Sequence, residues 1–198
     1  MRLLQIVGRK KSGKTGLTER LIPLLRKRGL RIGTVKHSSH PHPLDRPGSD
    51  SERHRKAGSE TTMVITAASV ALHFPVPDED LEVHALVGRF LGSLDLVLIE
   101  GWARLGEAKI EVIPSDREGR PREPVHLDSG ELLAVVLSPR LRSSPEVLSQ
   151  VGVRLHGGHA GQLEDGSPRD AQRGVPGFYW EDAQGVADLV VRWYEDAL

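Results

Sequence analysis

The eight residues G-R-K-K-S-G-K-T at positions 8–15 match the pattern G-x-x-x-x-G-K-[ST] at every fixed position. Such a loop curls its backbone N–H groups around an anion, and Gly8 and Gly13 permit the backbone angles that this requires. A short apolar run before the loop and a helical pattern after it supply the strand-to-helix context that the motif needs. We predict that Lys14 reaches the β- and γ-phosphates of a nucleoside triphosphate and that the Thr15 hydroxyl binds Mg²⁺. The predicted nucleotide-binding residues are Gly8, Lys11, Ser12, Gly13, Lys14, Thr15 and Gly16.

A phosphate loop of this kind needs a second carboxylate near Mg²⁺, at the end of a neighbouring buried strand. The run D-L-V-L-I-E-G at positions 95–101 is the good candidate in the sequence. Ligands gather at the carboxyl ends of the strands in an open α/β sheet, and this favours Glu100 over Asp95. We therefore assign Thr15 and Glu100 to the metal, and Lys14 and Glu100 to catalysis. Asp95, at the opposite end of the strand, is interpreted as structural.

A segment rich in His, Pro and Ser follows the second predicted strand at the same edge of the sheet. Its histidines suggest a metal site, but zinc sites usually recruit a fourth ligand on a scaffold of fixed spacing. A loop that senses the nucleotide or a partner is the simpler interpretation. Its acids, Asp45 and Asp50, either contact Mg²⁺ through water or lie at the surface with no such contact. The residues assigned to this switch loop are His37, His40, Asp45 and Asp50.

The apolar pattern predicts an α/β fold. Strand, phosphate loop, helix and strand follow one another within residues 3–36, which makes a βαβ unit with a right-handed crossover. Two further strands, at 61–66 and 69–74, are separated by too few residues for a crossover helix and predict a hairpin. Buried strands are also expected at 95–99, 109–113 and 132–137. Amphipathic helices are expected at 78–91, with an apolar stripe of Leu81, Ala85, Leu86 and Phe90, and at 182–197.

The expected fold class is therefore a P-loop NTPase-type, mostly parallel sheet flanked by helices, with a β-hairpin extension. Residues 1–198 are predicted to form a single domain, since the length suits one substantial core better than two. Residues 139–177 are rich in Gly, Pro, Arg and charges, and they predict a loop-rich insertion with one short strand near 151–155.

The composition narrows the classes of function. There is no cysteine, so neither a disulfide framework nor a thiolate metal site is available. No apolar stretch approaches about 18 residues, so we expect a cytoplasmic protein with no membrane partner. Although the net charge is zero, residues 1–40 hold eleven Lys or Arg and one acid, which suits a polyanionic ligand. Nucleic acid would give the same charge pattern, but an aromatic content of 4% offers few stacking platforms, so no nucleic-acid partner is expected.

Taken together, these motifs resemble the molybdopterin-guanine dinucleotide biosynthesis protein B (MobB) family over nearly the whole chain. The resemblance rests on the phosphate loop, K-H-x-x-H at 36–40, D-x-P-G-x-D-S at 45–51 and R-K-A-G at 55–58. It also rests on D-L-V-L-I-E-G with a following A-K-I, and on the closing A-D-L-V-V-R-W helix. The segment with His, Asp and Pro-Gly is the discriminating part, because many families share the phosphate loop.

The resemblance implies a homodimeric GTP-binding protein with, at most, slow Mg²⁺-dependent GTPase activity. Its expected partner is the guanylyltransferase that attaches GMP to molybdopterin in molybdenum cofactor biosynthesis, and molybdopterin itself is a further candidate ligand. The guanine base comes from the resemblance alone, because the chain has no asparagine and so cannot carry an Asn-Lys-x-Asp base-reading element. The alternative from another class is a small-molecule kinase, in which the arginines between 139 and 173 would belong to a lid.

Overall fold

The computed structural model describes residues 1–38, 43, 45–74, 83–141, 147, 151, 153–155 and 175–196. These residues group into two compact units. The first consists of Met1–His37 and Leu91–Leu198, and the second of Ser38–Phe90. A single domain over residues 1–198 stays a prediction.

The first unit is built on a seven-stranded sheet in which every paired strand is parallel. Its strands are β1 (Arg2–Val7), β2 (Ile32–Lys36), β5 (Leu96–Glu100), β6 (Lys109–Ile113), β7 (Leu132–Leu137), β8 (Arg154–Leu155) and β9 (Pro176–Phe178). They lie in the order β2-β5-β1-β6-β7-β9-β8. This arrangement confirms the predicted P-loop type of sheet, and it places β1 in the interior with β5 and β6 as its neighbours.

Two helices cover one face of this sheet. They are α1 (Lys14–Lys27) and α4 (Ala183–Glu195), and they pack against each other. Leucines at positions 17, 21 and 25 of α1 repeat at helical spacing and are fully buried with Val186 and Val190 of α4. Strands β5, β6 and β7 are buried along almost their whole length, as is typical of the interior strands of a parallel sheet.

Helix α1 runs without a break across Pro23, although proline removes one backbone hydrogen bond from a helix interior. It ends at Lys27, and Gly29 stops it two residues later with a positive φ of 86° and an N–H bond to Arg26 O. The other helix is capped by Asp182, whose side chain accepts from Gly185 N at 2.9 Å. Near its end, Trp193 lies under the Arg2 guanidinium at 3.6 Å, which fastens α4 to the start of β1.

An ion pair holds the amino-terminal edge of the sheet. Asp95, directly before β5, accepts from the Arg31 backbone N–H at 2.7 Å and from its guanidinium at 2.8 and 3.1 Å. The contact joins the starts of two neighbouring parallel strands, at the edge opposite the phosphate loop. The structural role predicted for Asp95 is therefore confirmed.

The second unit holds a short helix, a hairpin and most of a third helix. These elements are α2 (Asp50–Lys56), β3 (Thr62–Ile65), β4 (Val70–His73) and α3 (Val83–Leu91). Ser49 caps α2 by accepting from Glu52 N. Strands β3 and β4 pair antiparallel as a separate two-stranded sheet, so the predicted hairpin extension is confirmed.

Strand β8 falls within the short strand predicted near 151–155. Strand β9, which pairs with both β7 and β8, was not predicted, and it overlaps the last two residues of the segment 139–177 that was predicted to be loop-rich. A strand of three residues containing proline and glycine gives too weak a pattern to stand out from a loop. The apolar stripe predicted for α3 was wrong: the buried residues are Val83 and Val87, whereas Phe90 of the predicted stripe is exposed. Residues 75–82, including Leu81 of the predicted stripe, lie outside the described residues.

No helix among the described residues is long and apolar enough to cross a membrane.

We predict that Asp95→Asn lowers stability in a pH-dependent way. Hydrogen bonds from Arg31 lower the pKa of Asp95 from 3.8 to about 2. A carboxyl group with a lowered folded-state pKa contributes stability that is present above its unfolded pKa and is lost as the pH falls through the folded one. The difference in urea midpoint between wild type and variant should therefore be full above pH 3.8 and shrink as the pH approaches 2.

The exposed Asp128→Asn provides the control and should change the free energy of unfolding by no more than about 0.5 kcal/mol. A midpoint difference for Asp95→Asn that is the same at every pH would contradict the prediction.

Candidate functional site

The phosphate loop (residues 8–15) leaves the carboxyl end of β1 and turns directly into α1. Gly8 and Gly13 have φ angles of 135° and 108°, in the region that favours glycine. A Cβ on Gly8 would lie 2.4 Å from the Val112 carbonyl oxygen of β6, so the loop passes against the neighbouring strand where only glycine fits. Lys11 also has a positive φ, 63°, as is needed for a tight curl of consecutive peptides.

Helix α1 begins without a side-chain cap, because its N-cap is Gly13. The first-turn N–H groups therefore point out of the helix beside the loop, where a phosphate is favoured by the helix dipole. Inside the loop, Ser12 Oγ is buried and has no hydrogen-bond partner among the described residues. A buried hydroxyl without a partner is costly, and a phosphate oxygen would satisfy it.

The Lys14 side chain folds back across the loop. Its Nζ donates to the carbonyl oxygens of Gly8 at 3.0 Å and Arg9 at 2.8 Å. Partial burial lowers the pKa of Lys14; the Glu100 carboxylate opposes this, and the Lys36 ammonium adds to it. The ammonium is thus held in the loop by carbonyl groups and placed where it can reach phosphate oxygens.

Glu100 stands at the carboxyl end of β5, in register with Ile6 of β1 and Lys36 of β2. Its Oε1 accepts a hydrogen bond from Thr15 Oγ1 at 2.8 Å and lies 3.3 Å from Lys36 Nζ. The two oxygen groups predicted to bind Mg²⁺ are therefore in direct contact, and the structure adds a lysine that the sequence analysis did not assign to the site.

These oxygens fit Mg²⁺, which prefers carboxylate and hydroxyl oxygens and takes its remaining ligands from phosphates and water. The parts of the chain that the structure describes hold no group of three His, Cys, Asp or Glu side chains able to bind a metal ion without such help. A dedicated zinc-type cage is consequently not found among those residues, and His40 and His42 of the histidine-rich segment lie outside them.

The chain turns sharply after Glu100. Gly101 and Trp102 have φ angles of 89° and 57°, and positive φ is unusual for a tryptophan. The Trp102 carbonyl accepts from Gln5 Nε2, and the Trp102 ring stacks on His37 with ring centres 4.2 Å apart. These contacts fix the peptide that carries the Glu100 carboxylate.

Three buried polar side chains anchor the loops that follow the strands. Gln5 Oε1 also accepts from Glu107 N at 3.2 Å. Lys109 Nζ lies 3.1 Å from Glu131 Oε2, and Glu111 accepts from the backbone N–H of Val125 at 2.9 Å. The sequence signal for them is a polar residue inside an apolar strand, which the sequence analysis did not use.

Trp180 is a second residue that the sequence analysis missed. Its ring lies where Cβ atoms on Gly13 and Gly16 would come within 3.2 and 3.3 Å, so it packs on the loop and on the first turn of α1. Arg20 donates to the Trp180 backbone oxygen and holds its guanidinium 5.5 Å from the ring. The small residues after the loop therefore accommodate an aromatic ring from the segment between β9 and α4.

The residues predicted for the switch loop are only partly described. His37 stacks on Trp102 as above, and His40 lies outside the described residues. Asp45 and Asp50 belong to the second unit, where they pair with Arg55 at 2.9 Å and with Arg53 at 3.2 Å. A sensing role for these residues stays a prediction.

The model of one protein family, molybdopterin guanine dinucleotide synthesis protein B, matches residues 3–138, which include both the phosphate loop and Glu100. The chain belongs to the MobB family. The match ends just after β7, so the strands and helix that follow lie outside it.

Two curated relatives are called molybdopterin-guanine dinucleotide biosynthesis adapter protein. The one from Escherichia coli K12 is 40% identical over 116 residues, covering 58% of this chain and 66% of the relative. The one from Haemophilus influenzae is 39% identical over 101 residues, covering 50% and 56%. The matched part thus spans less than two thirds of these relatives' lengths.

Solved MobB structures share the fold. A crystal structure of molybdopterin-guanine biosynthesis protein B has a TM-score of 0.63 at 24% identity and covers 98% of this chain and 99% of that one. The Bacillus subtilis MobB structure has a TM-score of 0.63 at 22% identity, with 97% of each chain covered. At such identities the likeness concerns the fold alone, including the part beyond residue 138.

We predict that Gly8→Ala destabilises the protein more than Gly58→Ala does. Both glycines have positive φ, 135° and 106°, but only Gly8 would place its Cβ against a backbone oxygen, whereas nothing lies within 4 Å at Gly58. The extra cost should be about 1–3 kcal/mol, because β6 or the loop must shift. Urea unfolding of both variants measures it, and equal losses would show that the close approach to Val112 is not constraining.

Proposed function

We propose that this chain binds Mg²⁺–GTP at the phosphate loop and serves as an adapter for a molybdenum cofactor guanylyltransferase, which attaches GMP to molybdopterin. The observation that carries the nucleotide part is the 2.8 Å hydrogen bond between Thr15 and Glu100 beside the loop. It brings together a hydroxyl and a carboxylate from two elements far apart in the sequence, as a phosphate-bound Mg²⁺ requires.

Each group at the site has a role in this proposal. The loop N–H groups and Lys14 hold the β- and γ-phosphates, and the unpaired Ser12 hydroxyl donates to a phosphate oxygen. Thr15 and Glu100 supply metal ligands. Bound Mg²⁺ neutralises charge on the phosphates. The expected hydrolysis is slow, so the bound nucleotide organises a complex and is not a substrate for rapid turnover.

The guanine base and the partner rest on the family. The names of the curated relatives describe adapters in molybdopterin-guanine dinucleotide biosynthesis. The family description refers to synthesis of a guanine dinucleotide, which favours guanine as the base at the nucleotide site. Molybdopterin is a further candidate ligand of the same assembly.

Calorimetric titration with GTP and ATP, each with Mg²⁺ or with EDTA, tests the nucleotide proposal. We expect GTP to bind at least about tenfold more tightly than ATP, a difference of about 1.4 kcal/mol. We expect Glu100→Ala to abolish most of the gain in affinity that Mg²⁺ gives, because a metal ligand is lost. Turnover, with or without the guanylyltransferase, should stay well below the typical enzyme value of about 10 s⁻¹.

Asp95→Ala is the matched control, since it removes the acid next to the other end of β5. It should lower stability and leave the Mg²⁺ effect on affinity intact. Tighter binding of ATP would overturn the GTP assignment, and rapid phosphoryl transfer to an added metabolite would favour the kinase. An unchanged Mg²⁺ effect in Glu100→Ala would remove Glu100 from the metal site.

We also infer that the hairpin carries a homodimer interface, the oligomeric state that the family resemblance implies. Met63 lies directly opposite Leu72, and Ile65 directly opposite Val70, so all four side chains share one face. All four are exposed. An exposed apolar face of this kind favours association with other molecules. An isologous contact with a second copy would bury the face of both copies in one interface.

We predict that Val70→Glu weakens self-association at least about tenfold, because a buried, unpaired carboxylate opposes the contact. Val125→Glu is the control: it makes the same change at a loop residue that is 57% exposed, against 62% for Val70. Sedimentation velocity over a range of concentrations measures both. A wild-type monomer, or equal effects of the two substitutions, would contradict the assignment.

A further inference from the structure

Lys36 is a second ammonium group at the phosphate loop. It is the last residue of β2, which lies on the side of β5 away from β1. Its Nζ is 3.3 Å from Glu100 Oε1, the same oxygen that accepts the Thr15 hydrogen bond. The same Glu100 oxygen thus contacts both Thr15, a predicted metal ligand, and the ammonium group of Lys36.

This contact competes with a metal ion. A divalent cation on Glu100 would take the charge that now attracts Lys36 and would repel the ammonium at close range. The lysine is free to move, because its side chain is 66% exposed while that of Glu100 is only 15% exposed. A four-carbon stem with a compact charge can then turn to the nearest other anion.

The strand order indicates which anion that is. Counting from the phosphate loop after β1, Glu100 comes first and Lys36 lies beyond it. Glu100 and Thr15 would hold the metal ion, which would neutralise charge on the β- and γ-phosphates. Lys14 lies in the phosphate loop and Lys36 at the end of β2, on the two sides of Glu100. A phosphate held beside Glu100 would therefore have an ammonium group on either side, and the phosphate nearest Lys36 would be the terminal one.

We propose that Lys36 binds the terminal phosphate of a bound nucleoside triphosphate and thereby lets the chain distinguish the triphosphate from the diphosphate. This rests on the proposed nucleotide binding and deepens it by naming the group that reads the γ-phosphate. Lys36 and Lys14 are close enough to interact, since the charge of Lys36 contributes to lowering the pKa of Lys14.

The opposing interpretation is an ordinary exposed ion pair. Such pairs contribute little, and removing one changes no ligand preference. A terminal-phosphate contact predicts a different result, because a charged hydrogen bond to phosphate is lost only when the third phosphate is present.

The test is calorimetric titration of wild type and Lys36→Met with Mg²⁺ and either a non-hydrolysable GTP analogue or GDP. We expect the variant to lose about tenfold to a hundredfold in affinity for the triphosphate. Its affinity for GDP should stay within about twofold, as expected when only an exposed ion pair is removed. Lys36→Arg, which keeps the charge, should recover part of the loss.

Lys56→Met is the matched control. Lys56 is also an exposed lysine, 71% against 66%, and its Nζ is 3.1 Å from a glutamate oxygen, but that partner is Glu52 in α2. It should alter neither affinity. Unfolding midpoints of all variants show whether the fold is kept.

Three outcomes would overturn the proposal. Equal losses for triphosphate and diphosphate in Lys36→Met would make Lys36 a general electrostatic contributor, and no loss for either would make it a surface ion pair. Both results leave the proposed nucleotide binding standing. A wild-type chain that binds neither nucleotide would remove the proposed function together with this one.

Discussion

The hydrogen bond between Thr15 and Glu100 spans 85 positions of the sequence, and most of the first unit is arranged so that it can form. Thr15 is placed by the turn of the phosphate loop into α1, and Glu100 by the parallel register of β5 with β1. Neither element has much freedom. Leucines bury α1 against the sheet, and Gly8 packs the loop against the backbone of β6.

Polar groups inside the sheet give this arrangement its rigidity. Gln5, Lys109 and Glu111 are almost fully buried, which is costly unless each is satisfied. Each is satisfied by a loop: Gln5 by the turn after Glu100, Lys109 by Glu131, and Glu111 by the backbone near residue 125. The buried polar residues of the sheet therefore hold its loops in place by hydrogen bonds, which an entirely apolar core could not form.

Much of the first unit could be predicted from the sequence. Motif spacing identified the loop, and the preference of ligands for the carboxyl ends of strands selected Glu100 over Asp95. Both choices use local or general geometry. Strand β9 was missed because a Pro-Gly-Phe strand becomes a strand only through its neighbours in the sheet. Lys36 and Trp180 were missed for a related reason: their closeness to the loop depends on strand order, which periodicity does not reveal.

The strand order has a consequence for how the chain folds. The strands that pair with β1 begin at Leu96 and Lys109, so about 90 further residues must be synthesised after β1 before either neighbour exists. Helix α1 packs against Ala183–Glu195, which is synthesised later still. The phosphate loop lies between β1 and α1, and both of these elements gain their packing partners late. In a nascent chain the phosphate loop is therefore synthesised long before the strands and the helix that hold it in place.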